Sequence, residues 1–480
     1  MKEAPLGDGC FDIAVIGAGV VGAAAARRLA LEGARVAILD KAADPLDGAS
    51  KGNSAILHTG FDAPVGSLEQ RCVAEGRRLF LENRERLGLP LHETGALVLA
   101  WTGDEEARLD SLIAQAHENG VTDAVRLSRA EILEREPGLS ERVVAGFHVP
   151  GEHIIDPWTT PLAYIAQALA HGAEFFPGCE VLFGRRDTDC WRLKTSRGEL
   201  TTRATVNCGG LYGDIVEKRL LGHSEMTIKP RKGQFVVFDK AASRLLHSII
   251  LPVPTERTKG VVLCRTIFGN VLVGPTAEEQ ESRADASVDT ATLHLLRAKA
   301  VEMVPEMANC EVTATYAGIR PASDRKEYRI VAKPEQTYVN LGGIRSTGLS
   351  GALGLAEHLL AAHGDAVGAA SLSSPPTMEP EPVRLQHLSD YHERDWARQG
   401  NGGIVCHCEK VTRRDIEAAL DGPLPPRSFA GLKRQTRVCM GRCQGFYCLA
   451  AVAALTRGRL DEPMTQEASP QDQRDTADGA

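Results

Sequence analysis

The chain has 480 residues, 43% of them hydrophobic and 25% charged, with a net charge of −8. That length exceeds one ordinary domain and can bury a large core, and the balanced composition excludes a wholly disordered or fibrous chain. The negative balance argues against a general nucleic-acid binder, which needs a basic surface.

At the N-terminus Lys2 is followed by Glu3, Asp8 and Asp12, so no cationic leader is expected. The longest uncharged apolar run, 14 residues from Ile13 to Ala26, falls short of the roughly 20 that a membrane-spanning helix needs. Its glycines explain it better. Asp12 to Ile16 reads as a strand, Gly17, Gly19 and Gly22 follow as G-x-G-x-x-G, and Ala23 to Leu31 reads as a helix ended by Gly33. Ala34 to Asp40 is a second strand. This βαβ unit is a dinucleotide-binding pattern. Gly17 permits the tight turn, Gly19 lets a pyrophosphate approach the backbone, and Gly22 lets helix and strand pack closely. The helix N-terminus offers unpaired N–H groups to phosphates, and Asp40 can accept from ribose hydroxyls. A glycine-rich turn of an unrelated α/β fold is the alternative, and the unit alone does not separate FAD from NAD.

Three later segments favour FAD. They are Ser50 to Gly60, with Asn53, Ser54 and His58; Ala204 to Asp214, a strand running into Gly209-Gly210; and Tyr338 to Ser350, a strand, a Gly-rich loop and a helix to about residue 363. The third offers another helix N-terminus, which can stabilise negative charge on a reduced flavin.

Between these pieces, Leu97 to Trp101, Val143 to Val149, Gly233 to Phe238 and Gly260 to Gly274 are β-rich, the last as a hairpin turning at Phe268-Gly269-Asn270. Apolar runs with few helices between them suggest a large, mainly antiparallel sheet.

Residues 10 to 370 resemble the D-amino-acid-oxidase-type flavoproteins, in the branch of glycerol-3-phosphate dehydrogenases and L-2-hydroxyglutarate oxidases. The matching motifs, in order, are the βαβ unit, NSAILHTGFD from Asn53, IIDPW from Ile154, the Cys208-Gly209-Gly210 turn, KGQFVVFD from Lys232, TKG from Thr258, GNVLVGPTAE from Gly269 and AGIRPASD from Ala317. Many relatives have Ala where Cys208 stands, a small exchange. The resemblance implies an α/β, Rossmann-like FAD-binding domain drawn from residues 1–90, 150–220 and 330–370. Interleaved with it is a β-rich substrate domain of 91–149 and 221–329. Cofactor contacts are then expected from Gly17, Gly19, Gly22, Asp40, Lys41, Ser50, Asn53, Ser54, Val181, Gly209, Gly343, Arg345, Gly348 and Leu349.

Flavin oxidation of an alcohol or amine needs a group for the departing proton and cations that fix an anionic substrate. His58 is the candidate base, with a structural histidine near the flavin as the plainer alternative. Arg320 is the candidate anion clamp, because a guanidinium fork suits carboxylate or phosphate. Lys259 and Arg345 are second candidates; either can equally be a solvated loop charge.

Twelve cysteines are present, and five of them (406, 408, 439, 443 and 448) crowd into the last fifth of the chain. The scattered seven read as small buried residues of a reducing compartment. Residues 371–400 contain Pro375, Pro376, Pro380 and Pro382 and read as a proline-stiffened linker. A small, α-rich unit of 401–460 follows, with Thr412 and Asp415 as a capping box. Cys406-x-Cys408 with Cys443-x4-Cys448 supplies four thiolates for a [2Fe–2S] cluster or, alternatively, zinc. This unit resembles the bacterioferritin-associated-ferredoxin-like domain in the form fused to anaerobic glycerol-3-phosphate dehydrogenase. That resemblance selects Cys406, Cys408, Cys443 and Cys448 as ligands and leaves Cys439 surplus; a set using Cys439 with Cys443 is the alternative. Residues 401–460 carry ten Lys/Arg against four acids, either as charge compensation or as a docking face for an acidic redox partner. The acidic tail 461–480 reads as disordered.

The expected activity is FAD-dependent oxidation of the secondary alcohol of a glycerol 3-phosphate-like or 2-hydroxy-acid substrate. Electrons would pass to a second flavoprotein, a quinone or a dye-like acceptor, with the cluster domain either relaying them singly or structurally organising a complex with another subunit. An amino- or imino-acid dehydrogenase of the opine or proline type is the alternative. A cytoplasmic location is expected, with any membrane association made through a partner.

Overall fold

The computed structural model describes residue 6 and residues 9–254, 260–369 and 372–464. Two compact units result, one ending at Arg394 and one beginning at Asp395. The elements that place the sites are β1 (Cys10–Ile16), α1 (Val20–Leu31), β2 (Val36–Leu39), α2 (Leu68–Asn83), β3 (Gly198–Asn207), β4 (Arg231–Phe238), β5 (Val312–Arg320), β6 (Tyr338–Gly342) and α3 (Gly348–His363). In the second unit they are α4 (Arg413–Leu420), α5 (Phe429–Thr436) and α6 (Leu449–Leu455).

β1 is apolar and buried from Phe11 onward, as a central parallel strand must be. It pairs in parallel with β2 on one side and β3 on the other, and β3 pairs in parallel with β6. Antiparallel strands Val181–Arg186, Trp191–Thr195 and Arg329–Lys333 extend this eight-stranded sheet. α1 leaves β1 through the glycine turn. Gly17 has φ +108°, and an added Cβ there would lie 2.5 Å from the Cys208 carbonyl oxygen. At Gly22 the same addition would meet the Gly17 oxygen at 1.8 Å. No residue with a side chain fits either position without moving backbone.

A nine-stranded, largely antiparallel sheet stands apart from the first. β4 lies near one edge of it, paired antiparallel with the edge strand β5 and with Val271–Gly274. The hairpin turning at Phe268 to Asn270 joins Val262–Arg265 to Val271–Gly274, closed by the Thr266 amide donating to the Asn270 carbonyl at 2.7 Å. One pair breaks the antiparallel pattern: Ile249–Pro252 runs parallel to Ala96–Ala100. Two apolar clusters cover the two faces of this sheet, one around Phe147 and Cys264 and one around Leu263 and Phe238.

The loop after Ser50 lies on the second sheet through a backbone contact. A Cβ added to Gly52 would lie 2.8 Å from Gly318 Cα on β5. α2 and α3 approach as closely: Gly76 faces the Ser350 carbonyl at 2.1 Å from its built Cβ, and Gly354 faces that of Cys72 at 2.2 Å. Glycine at these crossings brings the start of α3 down onto the segment that carries His58.

The proline-rich stretch expected as a linker behaves otherwise up to Arg394. The Ser374 amide donates to Gly33 and the Thr377 amide to Leu31, the Gln167 amide side chain donates to the Glu381 carbonyl at 2.6 Å, and Leu388 is fully buried. Proline removes amide donors but leaves carbonyls and apolar surface with which a segment can be strapped down.

The second unit opens with strand Ile404–Cys406 paired to Val411–Thr412. Thr412 and Asp415 form a reciprocal capping box at α4. Its core gathers Val411, Ile416, Leu432, Val438 and Val452 around buried cysteines, and a buried ion pair joins Arg437 to Glu409 at 2.8 Å. The expected disordered tail lies outside the described residues beyond Met464.

Gly76→Val is expected to destabilise the flavin unit by about 1–3 kcal/mol, lowering its thermal midpoint with a matching loss of bound FAD. Both are read from one melting curve followed by flavin fluorescence.

Candidate functional site

A cavity of about 1510 Å³ runs from the glycine turn to the large sheet. Gly17, Gly19, Asp40, Lys41, Ser50, Asn53, Ser54, His58, Val181, Gly209, Arg320, Gly343, Arg345, Gly348 and Leu349, all expected from the sequence, line it. Gly22 does not line it and instead lets α1 pack on the turn. Lys259 lies outside the described residues.

At the nucleotide end, Asp40 braces the turn. Its Oδ2 accepts from the Ala18 amide at 2.6 Å and its Oδ1 from the Ala42 amide at 2.8 Å. Burial pushes its pKa up, and those two amides pull it down. Each carboxylate oxygen keeps a second acceptor site for a ribose hydroxyl. Ser50 Oγ accepts from the Val20 amide at 3.0 Å, and its own O–H can donate onward to a phosphate at the α1 N-terminus. Lys41 Nζ stands 3.1 Å above the Tyr212 ring. Asn53 holds its loop from both ends, donating to the Ser50 carbonyl and accepting from the Ala55 amide at 2.7 Å. The glycine turn, the α1 and α3 N-termini and an acid at the end of β2 suit the charge and length of FAD.

Further along, His58 Nδ1 lies 2.7 Å from Glu152 Oε2. The His58 amide donates to Ser350 Oγ, which donates in turn to the Ile56 carbonyl. The start of α3 therefore fixes the backbone under His58.

The far end is cationic. Antiparallel pairing puts Arg231 of β4 directly opposite Arg320 of β5, so the two side chains share a face. Arg320 donates through Nη2 to the Thr276 carbonyl at 3.1 Å, while its buried Nη1 has no hydrogen-bond partner among the described residues. Burial, and then the charges of Arg231 and Arg345, push its pKa down to about 10. Gly233 leaves room for this head: a Cβ there would meet Arg320 Nη2 at 2.7 Å. Arg231 reaches Glu279 at 2.9 Å. A guanidinium donor left unmet beside two further arginines can receive an anion.

Sequence reasoning missed Arg231 and Glu152. Arg231 adjoins the matched motif at Lys232, but its partnership with Arg320 appears only in the strand register. Glu152 lies 94 residues from His58, and no local pattern marks it.

In the second unit five thiols converge. Cys408 hydrogen-bonds Cys443, and Cys406 hydrogen-bonds Cys448. Amides of Tyr447, Gly445 and Phe446 donate to Cys443 and hold its pKa below the usual thiol value. Amides of Glu409 and Cys439 donate to Cys406. Gly441 is needed here, since a Cβ would lie 2.3 Å from Cys408 Cβ. Among the described residues no group of three or more His, Cys, Asp or Glu side chains is spaced as a ready metal cage. The thiols contact one another instead, Cys408 with Cys443 and Cys448 with both Cys406 and Cys439, and clustered thiols with amides aimed at them would suit an iron–sulfur cluster. Cys439, expected as surplus, is buried in the same group with its sulfur 3.4 Å from that of Cys448.

A dinucleotide cleft that ends beneath a cation-lined sheet defines a flavin-dependent oxidoreductase. Two family models match: "FAD dependent oxidoreductase" over residues 12–362 and "BFD-like [2Fe-2S] binding domain" over residues 404–457. The chain belongs to the FAD-dependent oxidoreductase family and carries a C-terminal BFD-like [2Fe–2S]-binding domain. It is 30% identical over 464 residues to the glycerol 3-phosphate dehydrogenase of Caloramator mitchellensis, covering 95% of this chain and 96% of that protein. It is 24% identical over 499 residues to a subunit of the anaerobic glycerol-3-phosphate dehydrogenase of Escherichia coli K12, covering 92% of this chain and 87% of that one. Its fold matches the FAD-bound L-alpha-glycerophosphate oxidase of Mycoplasma pneumoniae with a TM-score of 0.72 at 24% identity, over 79% of this chain and all of that one. Among the described residues, no helix is long and apolar enough to cross a membrane.

Cys443→Ser is expected to abolish the visible absorption of the cluster, whereas Cys439→Ser retains it. Iron content and absorption of the two purified variants check the assignment, and the opposite pattern reverses it.

Proposed function

We propose that this enzyme oxidises the secondary alcohol of a small, doubly charged anion, with glycerol 3-phosphate as the best candidate. The orphaned, buried donor of Arg320 carries this reading. A buried guanidinium with an unmet N–H is costly until an anion meets it, and Arg231 and Arg345 add charge for a second negative oxygen. A zwitterionic amino acid makes poorer use of three cations, so the alcohol is preferred to the amine alternative. The glycerol 3-phosphate activity named for the relative that matches nearly the whole chain supports the same choice.

Arg320 and Arg231 hold the anion, and Arg345 adds its field from the loop before α3. His58 accepts the proton of the hydroxyl group. When bound, FAD supplies the hydride acceptor, and the [2Fe–2S] cluster supplies a one-electron carrier. Cys406, Cys408, Cys443 and Cys448 hold that cluster. Its unit is strongly basic over residues 401–460, which suits an acidic redox partner. The E. coli relative is named as one subunit of its enzyme, and this chain is likewise read as working with a second protein. The domain division is read as FAD binding by the parallel sheet and substrate binding by the nine-stranded sheet.

Arg320→Ala is expected to weaken substrate binding roughly 10- to 100-fold, in line with about 1.5–3 kcal/mol for a hydrogen bond to a charged group. It should leave FAD content unchanged, and unaltered substrate affinity counts against the clamp. His58→Ala is expected to slow anaerobic flavin reduction by roughly 100-fold or more with FAD retained. Stopped-flow bleaching with glycerol 3-phosphate, L-2-hydroxyglutarate and proline tests both the base and the substrate class: bleaching by proline alone refutes the alcohol reading.

A further inference from the structure

We propose that Glu152 is a positioning residue that sets the tautomer, orientation and basicity of His58. The inference rests on the reading of His58 as the base and extends it to a residue that the motifs do not mark.

Glu152 sits in the turn between strands Ala145–Val149 and His153–Ile155 and is 0% exposed. Three donors converge on its carboxylate. Oε1 accepts from the Thr59 amide at 2.6 Å and the Thr59 hydroxyl at 2.8 Å, and Oε2 accepts from His58 Nδ1 at 2.7 Å. A carboxylate only accepts, so the proton of the neutral ring resides on Nδ1 and the basic lone pair on Nε2. With Thr59 gripping one oxygen through two bonds, the carboxylate cannot swing, and His58 is held by a fixed acceptor.

The charge has a purpose at this place. His58 shares its cavity with Arg320, Arg231 and Arg345, so gaining a proton there is opposed by like charge. A wholly buried anion 2.7 Å from the ring offsets that opposition. Asp62 and Glu69 line the same cavity, and Arg77, His153 and Glu93 pack beside the Glu152 turn. Arg77 of α2 donates to the Gly151 carbonyl at 3.1 Å and approaches His153 Nε2 at 3.4 Å. His153 stands on the following strand with Glu93 beside it, and burial lowers its pKa. In the step itself His58 Nε2 would take the proton as the substrate O–H bond breaks, and FAD, when bound, would supply the two-electron acceptor for the hydride of the adjoining C–H.

Glu152→Gln keeps the shape and removes the charge. The rate of anaerobic flavin reduction is expected to fall roughly 10- to 100-fold with little change in substrate affinity. Without the anion the His58 proton is held less tightly, so the acid limb of the pH–rate profile is expected to move down by about one pH unit. Glu152→Asp retains the charge at shorter reach, so its rate falls while its acid limb stays in place. Histidine ¹⁵N spectra of the substrate-free wild type should show an Nδ1–H tautomer for the signal that His58→Ala removes; an Nε2–H tautomer overturns the proposal. Wild-type rate and limb in FAD-loaded Glu152→Gln also overturn it. If Glu152→Gln loads no FAD, Glu152→Asp decides, and an unchanged rate there overturns the proposal. The two readings fail separately. Normal reduction in His58→Ala refutes the base, whereas a slow His58→Ala beside a normal Glu152→Gln refutes only the positioning role.

Discussion

The cavity depends on backbone touching backbone where side chains would keep the chains apart. Gly17 lies against Cys208, Gly22 against Gly17, Gly52 against Gly318, and Gly76 against Ser350, each with no room for a methyl group. The first two contacts close the nucleotide turn onto the parallel sheet. The third lays the Ser50 to Asn53 loop on β5, beside the strand end that carries Arg320. The fourth presses α3 onto α2, so that Ser350 reaches the His58 amide. Interiors are close-packed and yield little, so any of these positions filled would displace a wall of the cavity rather than a surface loop.

Electrostatics within that frame is arranged in opposition. One wall is cationic, with Arg320 held below its usual pKa by burial and by its neighbours. Behind His58 lies a buried carboxylate satisfied by three donors. Under the proposed function, such a cavity keeps the cations that would hold an anion apart from the carboxylate that holds His58. Neither charge is stable in isolation: the guanidinium needs its anion and the carboxylate needs its donors.

The second unit applies the same logic to sulfur. Loop amides from Gly445 to Tyr447 aim at Cys443, and amide donors favour the thiolate state that a metal requires. The buried Arg437–Glu409 pair fixes the segments on either side of the thiols. The basic surface left outside is a property of the whole unit, separate from the pairing of cysteines within it.

Much of this is legible in the sequence because it is local. The βαβ unit, the Thr412 capping box and the hairpin at Gly269 are set by neighbours within a few residues, through turn geometry and side-chain-to-backbone bonds. The cavity-lining residues are legible because motif segments carry them as blocks. The strap from Ser374 to Arg394 reads wrongly as a linker, since prolines announce stiffness but not the surface that captures it. Arg231 and Glu152 are invisible for a related reason: one acquires meaning from the strand register opposite Arg320, the other from a histidine 94 residues away. By itself, then, the sequence determined the cofactor class, the order of the units and the residue types available for chemistry. Only the tertiary structure decided which charges meet, because a hydrogen bond or ion pair depends on distance in space, and distance along the chain does not encode it.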